Sequence, residues 1–138
     1  MNVTSNNSKV IQVPLSLGDF IDRLSILQIK LARLSNTDAL AAVQMQETAY
    51  QSCLKAHPMA QDPVIAQALE DLTKVNTALW MVEDQLRDFE RVQDFGPEFI
   101  EAARNVYRLN DKRAAVKRDL DDTCGSAFGD VKLYGTTA

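Results

Sequence analysis

The stretch PLSLGDFIDRLSILQIKLARL, residues 14–34, decides the fold. Ser16 offers a hydroxyl to the free amides of a first helical turn, and Asp19 stands three residues on, the spacing of a capping box. Leu17, Phe20, Leu24, Leu27, Leu31 and Leu34 then recur at the 3.6-residue period, which predicts an amphipathic helix from Ser16 to about Leu34. Ile26 and Ile29 fall well off that stripe. A helix apolar on two sides is either central to its domain or part of an oligomer interface. These two isoleucines are therefore the expected contact of a homo-oligomer.

Working outward, SNTD at 35–38 supplies Asn36 or Thr37 as the cap of a second helix, about 38 to 56. Leu40, Val43, Tyr50, Cys53 and Leu54 form its inner face. His57-Pro58 ends it, and Asp62-Pro63 opens a third with a capping residue followed by the proline favoured at the first helical position. From there to about Gln93, Ile65, Leu72, Leu79 and Leu86 alternate with Ala68, Val75, Val82 and Phe89 over four heptads, a coiled-coil pattern. Phe95-Gly96-Pro97 breaks the chain again. The last helix should run to Cys124, with Gly125 as a left-handed cap. The expected fold is all-α: one domain over 1–138, an antiparallel bundle of about four helices built on a long hairpin of the third and fourth. Residues 1–9 are expected to be frayed. The pieces KVIQV (9–13) and DVKLY (130–134) alternate as short extended segments, so that 126–138 forms a tail able to dock beside the first.

Composition narrows the function classes. Fifteen Lys and Arg against 19 Asp and Glu leave a net charge of −4, which argues against a dedicated nucleic-acid binder and a polybasic membrane anchor. No apolar run is long enough to span a bilayer, and MNVTSNNSK lacks the apolar segment of a signal peptide. A cytoplasmic protein is the expectation. Cys53 and Cys124 lie far apart with His57 as the sole histidine, so no metal site and no cofactor is readable. Both thiols are expected to be buried or half-buried.

Several charged and amide side chains fall where apolar ones belong. At about 100° per residue, Arg113 projects into the middle of the apolar arc of the fourth helix, with Asn110 and Lys117 toward its edge. On the third, Asn76, Glu83, Arg87 and Glu90 lie among or beside the apolar positions. A turn near residue 95 brings Asn76 opposite Arg113 to Lys117, and Glu83 near Tyr107 and Asn110. Arg23 and Lys30 extend the set from the first helix. Two readings of this cluster remain open. In one, Glu83 and Glu90 neutralise Arg113 and Lys117 in an ionic network that fixes helix register. In the other, Asn76, Glu83, Arg87, Asn110, Arg113, Lys117, Arg23 and Lys30 form a pocket that clamps a phosphate or carboxylate. Nothing assembles a catalytic constellation. The run RNVYRLNDKRAAVKR, 104–118, has six basic residues and one acidic and is expected to be a solvated face answered by nearby acids. Trp80 and Tyr107 are expected as packing aromatics.

The first-helix stretch, VNTALWMVEDQLRDFE (75–90), FIEAARNVYRLNDKRAAVKRDLD (99–121) and KLY (132–134) together resemble a family of small helical proteins of unknown function from bacteria and their phages. The resemblance covers nearly the whole chain and is weakest across 36–62. It implies that Asn110-Asp111-Lys112-Arg113, Asn76, Trp80, Asp84 and Arg104 belong to the family pattern, and it brings no activity with it. IDRLSILQIKLARL, with Asp22, Arg23, Lys30 and Arg33, is also similar to the first helix of all-helical chorismate mutases, which bind a dicarboxylate between helices. Helix order and the remaining charges do not follow that pattern. The functional expectation is a self-associating interaction or accessory protein, with a small-anion binder or enzyme as the alternative.

Overall fold

The structure is a computed structural model that describes residues 9–125. Four helices follow in order: α1 (Leu17–Arg33), α2 (Thr37–Lys55), α3 (Pro63–Val92) and α4 (Pro97–Cys124). The expected caps are in place. Ser16 Oγ accepts from the Asp19 amide at 3.1 Å, Asn36 Oδ1 from Asp38 and Ala39, and Asp62 Oδ1 from Val64 at 3.0 Å. Gly125 closes α4 in the left-handed region at φ 70°. Gln93 does the same for α3 at φ 58°, a conformation that costs a residue with a Cβ about 1–2 kcal/mol.

The helices stack in layers with α1 in the middle. It packs on α2 on one side and on both α3 and α4 on the other, while α2 touches neither α3 nor α4 closely. That position explains the two apolar sides of α1. Leu17, Phe20 and Leu24 belong to the expected stripe, and Phe20 stacks on Tyr50 of α2 with ring centroids 4.8 Å apart. Ile29, at 6% exposed, is covered by the chain's own helices, and Ile26 is half-buried. Ile26 keeps part of its surface open to clefts on both sides of α1. Their apolar character is accounted for by the central place of α1 in its own chain.

Ile21, Leu24, Ile65, Ala68, Leu72 and Leu120 form the core. Leu72 and Ile21 are wholly buried, and each such side chain contributes about 1.5–3 kcal/mol. The heptad of α3 shows how burial depends on company. Ile65, Ala68 and Leu72 are buried beneath α1, whereas Val75, Leu79, Val82, Leu86 and Phe89 are half-buried. At the turn, Phe99 meets Phe89 edge-on at 6.2 Å and Phe95 at 5.2 Å, which fastens α3 to α4.

Three expectations need correction or lie out of reach. Residues 10–15 form no strand, and Val10, Ile11 and Val13 are exposed. The frayed start, apart from Lys9, and the tail at 126–138 fall outside the described residues. Cys53 borders a hollow with Leu17, Phe20 and Leu54 on the α1-facing side of α2 but is exposed, not buried, while Cys124 is half-buried. Burial pushes the Cys124 thiol pKa up, and the charges of Asp62 and Asp121 add to the effect.

Candidate functional site

A second stripe on α1 runs Gly18, Asp22, Ser25, Ile29, at spacings of four, three and four. All four residues are buried. It faces the α3–α4 hairpin, and its polar members are met there by polar partners. Asp22, 3% exposed, is the centre. Arg113 of α4 donates to it through Nε to Oδ1 at 2.9 Å and through Nη2 to Oδ2 at 2.5 Å. This is the two-pronged geometry that gives arginine–carboxylate pairs their strength. Asn76 of α3 donates through Nδ2 to Asp22 Oδ1 at 2.9 Å and to Ser25 Oγ at 2.8 Å. Ser25 in turn donates to the Asp22 carbonyl oxygen at 2.6 Å.

One turn toward the start of α1, Lys117 Nζ meets Asp19 Oδ1 at 2.7 Å. Asp121 Oδ1 accepts from the Gly18 amide at 2.7 Å, placing a carboxylate at the positive end of α1. Gly18 is required by this approach. A Cβ there would lie 2.5 Å from the Lys117 carbonyl oxygen and 2.8 Å from Asp121 Oδ2.

Burial on its own would raise the Asp22 pKa. The hydrogen bonds from Arg113 and Asn76 and the charges of Arg113 and Lys117 outweigh it, so the group is held below the ordinary aspartate value. No side-chain nitrogen or oxygen that is fully buried lacks a hydrogen-bond partner among the described residues.

The expected residues divide into three groups. Asn76, Arg113 and Lys117 converge on α1 as projected, but their anions are Asp22 and Asp19. Glu90 is exposed, and Glu83 makes no ion pair among the described residues. Glu83 and Asn110 do share a cleft of about 320 Å³ with Asn76, Arg113, Trp80 and the two isoleucines of α1. Arg87 points away and lies 3.6 Å from Asp84 on the surface. Arg23 and Lys30 are on the other side of α1, around a depression shared with Gln46 and Tyr50 of α2. The eight residues proposed as one anion pocket are therefore not one site.

Asp22, Asp19, Asp121, Ser25 and Gly18 were missed as partners. The signal for Gly18, Asp22 and Ser25 is the spacing of small and polar residues along α1, which the leucine stripe overshadows; Asp19 reads as a cap residue and Asp121 of α4 as a solvent-facing acid. Arg33 lies over the Trp80 ring and Arg108 over the Tyr107 ring, each at 5.8 Å, but Trp80 is half-buried whereas Tyr107 is 54% exposed. No group of three metal-ligating side chains occurs among the described residues, and no helix of the described residues is long and apolar enough to cross a membrane. Comparison with protein-family models, curated proteins and solved structures finds no match.

Proposed function

We propose that this chain is a helical interaction or accessory module of the cytoplasm, not a catalyst, and that its buried ionic cluster serves to hold α1 in register on the α3–α4 hairpin. The observation that carries the reading is the closed Asp22–Arg113 pair. A carboxylate from the chain occupies the two-pronged position that an anionic ligand would need. Lys117 is answered likewise by Asp19. Buried pairs of this kind give specificity of arrangement more readily than net stability, which suits a scaffold that presents surfaces to a partner.

Self-association belongs to the same reading. Its contact would fall on α1, at Ile26 and Ile29, of which Ile26 is the more open.

The test is thermal and denaturant unfolding of wild type and Arg113→Met, each with and without inorganic phosphate and succinate. Loss of the arginine leaves a carboxylate buried without its cation, and a loss of about 3–5 kcal/mol is expected, with neither anion raising the wild-type midpoint. A variant as stable as wild type, together with an anion that stabilises only the wild type, overturns the reading in favour of an anion site.

A further inference from the structure

The cleft beside the ionic cluster has the wrong charge for an anion and the right one for a cation. Of its charged groups, Arg113 is matched by Asp22, which leaves the carboxylate of Glu83. That side chain is half-buried and has no hydrogen bond or ion pair among the described residues. Arg87, one helical turn away, is turned to Asp84 instead.

A second observation is independent of Glu83. Asn76 is 6% exposed and spends its Nδ2 protons on Asp22 and Ser25. Its Oδ1 takes no hydrogen bond among the described residues, yet no fully buried polar side-chain atom there is left unpaired. Oδ1 therefore reaches accessible space, and the open space at Asn76 is the cleft. Asn110 adds a third polar side chain, exposed and with no hydrogen bond of its own among the described residues. The walls between are Ile26, Ile29 and Trp80. A volume of about 320 Å³ is at the small end of the range of ligand pockets, roughly 300–1,000 Å³.

We infer that this cleft binds a primary alkylammonium group, its N–H donors directed to Glu83, Asn76 Oδ1 and Asn110 and its aliphatic stem laid against Ile26, Ile29 and Trp80. An ammonium carries three donors and no acceptor, which matches a site whose unmet groups are acceptors. An apolar stem matches the walls, as lysine side chains bury theirs along apolar surface while the head stays polar. The same chemistry is carried by a free aliphatic amine and by a lysine side chain of a partner protein. The inference rests on the proposed role of Arg113 as a structural cation, and it gives the interaction module a recognition element.

Trp80 is the sole tryptophan and lines the cleft, so its emission reports occupancy directly. The experiment titrates the wild-type chain with hexylamine, with hexanol as the neutral isostere and with hexanoate as the anion, at pH 7 and constant ionic strength. Hexylamine is expected to give a saturable change at a concentration where hexanol and hexanoate give none. Glu83→Gln is expected to melt as wild type does and to weaken hexylamine about tenfold, the loss of one charge-assisted contact. Parallel titrations with 1,5-diaminopentane and with an end-blocked Gly-Lys-Gly peptide assign the source by whichever binds more tightly. Binding of hexanoate as tight as that of hexylamine overturns the inference, as does an amine affinity untouched by Glu83→Gln, or no saturable response to any amine. These outcomes are separate from the Arg113→Met test, which reads stability and not amine affinity.

Discussion

The two faces of α1 are both apolar, and one of them carries a buried polar set that the other lacks. Toward α2, the contact is aromatic and aliphatic: Phe20 stacks on Tyr50, Leu54 packs nearby, and α2 buries only Val43 fully. Toward the hairpin, Ile21 and Leu24 pack on Ile65, Ala68, Leu72 and Leu120, and beside that apolar core a glycine, two aspartates and a serine meet an arginine, a lysine, an asparagine and a third aspartate. Apolar contact tolerates sliding, because hydrophobic attraction is non-directional. The polar set does not, because a shift of one helical position would strand a buried carboxylate. One helix thus draws cohesion from both sides and register from one.

The sharpest way to break the comparison is Asp22→Asn. Arg113 then loses the two-pronged pairing with the Asp22 carboxylate, and a loss of about 3–5 kcal/mol is expected in denaturant unfolding. Acid should act in the same place. Because folding lowers the Asp22 pKa, the unfolded chain binds the proton more readily. The stabilisation is whole above about pH 4, the ordinary aspartate range, and is lost as pH falls through the lowered folded value. Asp22→Asn should flatten that acid limb, and a limb unchanged in the variant would place the titration elsewhere.

Gly18→Ala comes next. The added Cβ meets a backbone carbonyl, and overpacking of this kind costs about 1–3 kcal/mol. A neutral or stabilising result would show that α1 can withdraw from α4 at its start.

On the opposite face, a double-mutant cycle of Phe20→Leu and Tyr50→Leu should give a coupling of about 0.5–1.5 kcal/mol. A coupling as large as that between Asp22 and Arg113 would erase the distinction between the faces. The smallest effect is expected at the exposed Lys74–Glu70 pair, 3.1 Å apart on α3. Lys74→Ala should cost under about 0.5 kcal/mol. Hydrogen exchange sharpens the contrast without mutation. The amides of α2, which has a single helical neighbour, should exchange through local opening before those of α3 and α4.

The sequence made the apolar contacts of α1 legible and the polar set only half so. The caps at Ser16, Asn36, Asp62 and Gly125 depend on local chemistry and are readable one residue at a time. Asn76 and Arg113 stood out because each is a polar residue inside an otherwise apolar arc. Asp22 did not, since it borders the leucine stripe of α1, where a charged residue reads as solvent-facing. Only the presence of a layer on both sides of α1 makes that position buried, and layering is a tertiary fact. Ile29 misleads for the same reason, being the apolar member of a stripe whose other members are Gly18, Asp22 and Ser25. Glu83 was placed near Asn110 correctly, but its assumed partner, Arg113, was already held by a carboxylate 91 positions earlier in the chain.

The hydrogen bond from Gly18 to Asp121 joins residues 103 positions apart. During synthesis, α1 is made first and its last partner nearly a hundred residues later, at about 5–20 residues per second. Through those seconds Asp19 and Asp22 stay hydrated, because the cations that match them have not yet left the ribosome. The carboxylates that lock the bundle are thus the last of its groups to find their partners, and register is set only when the final helix arrives.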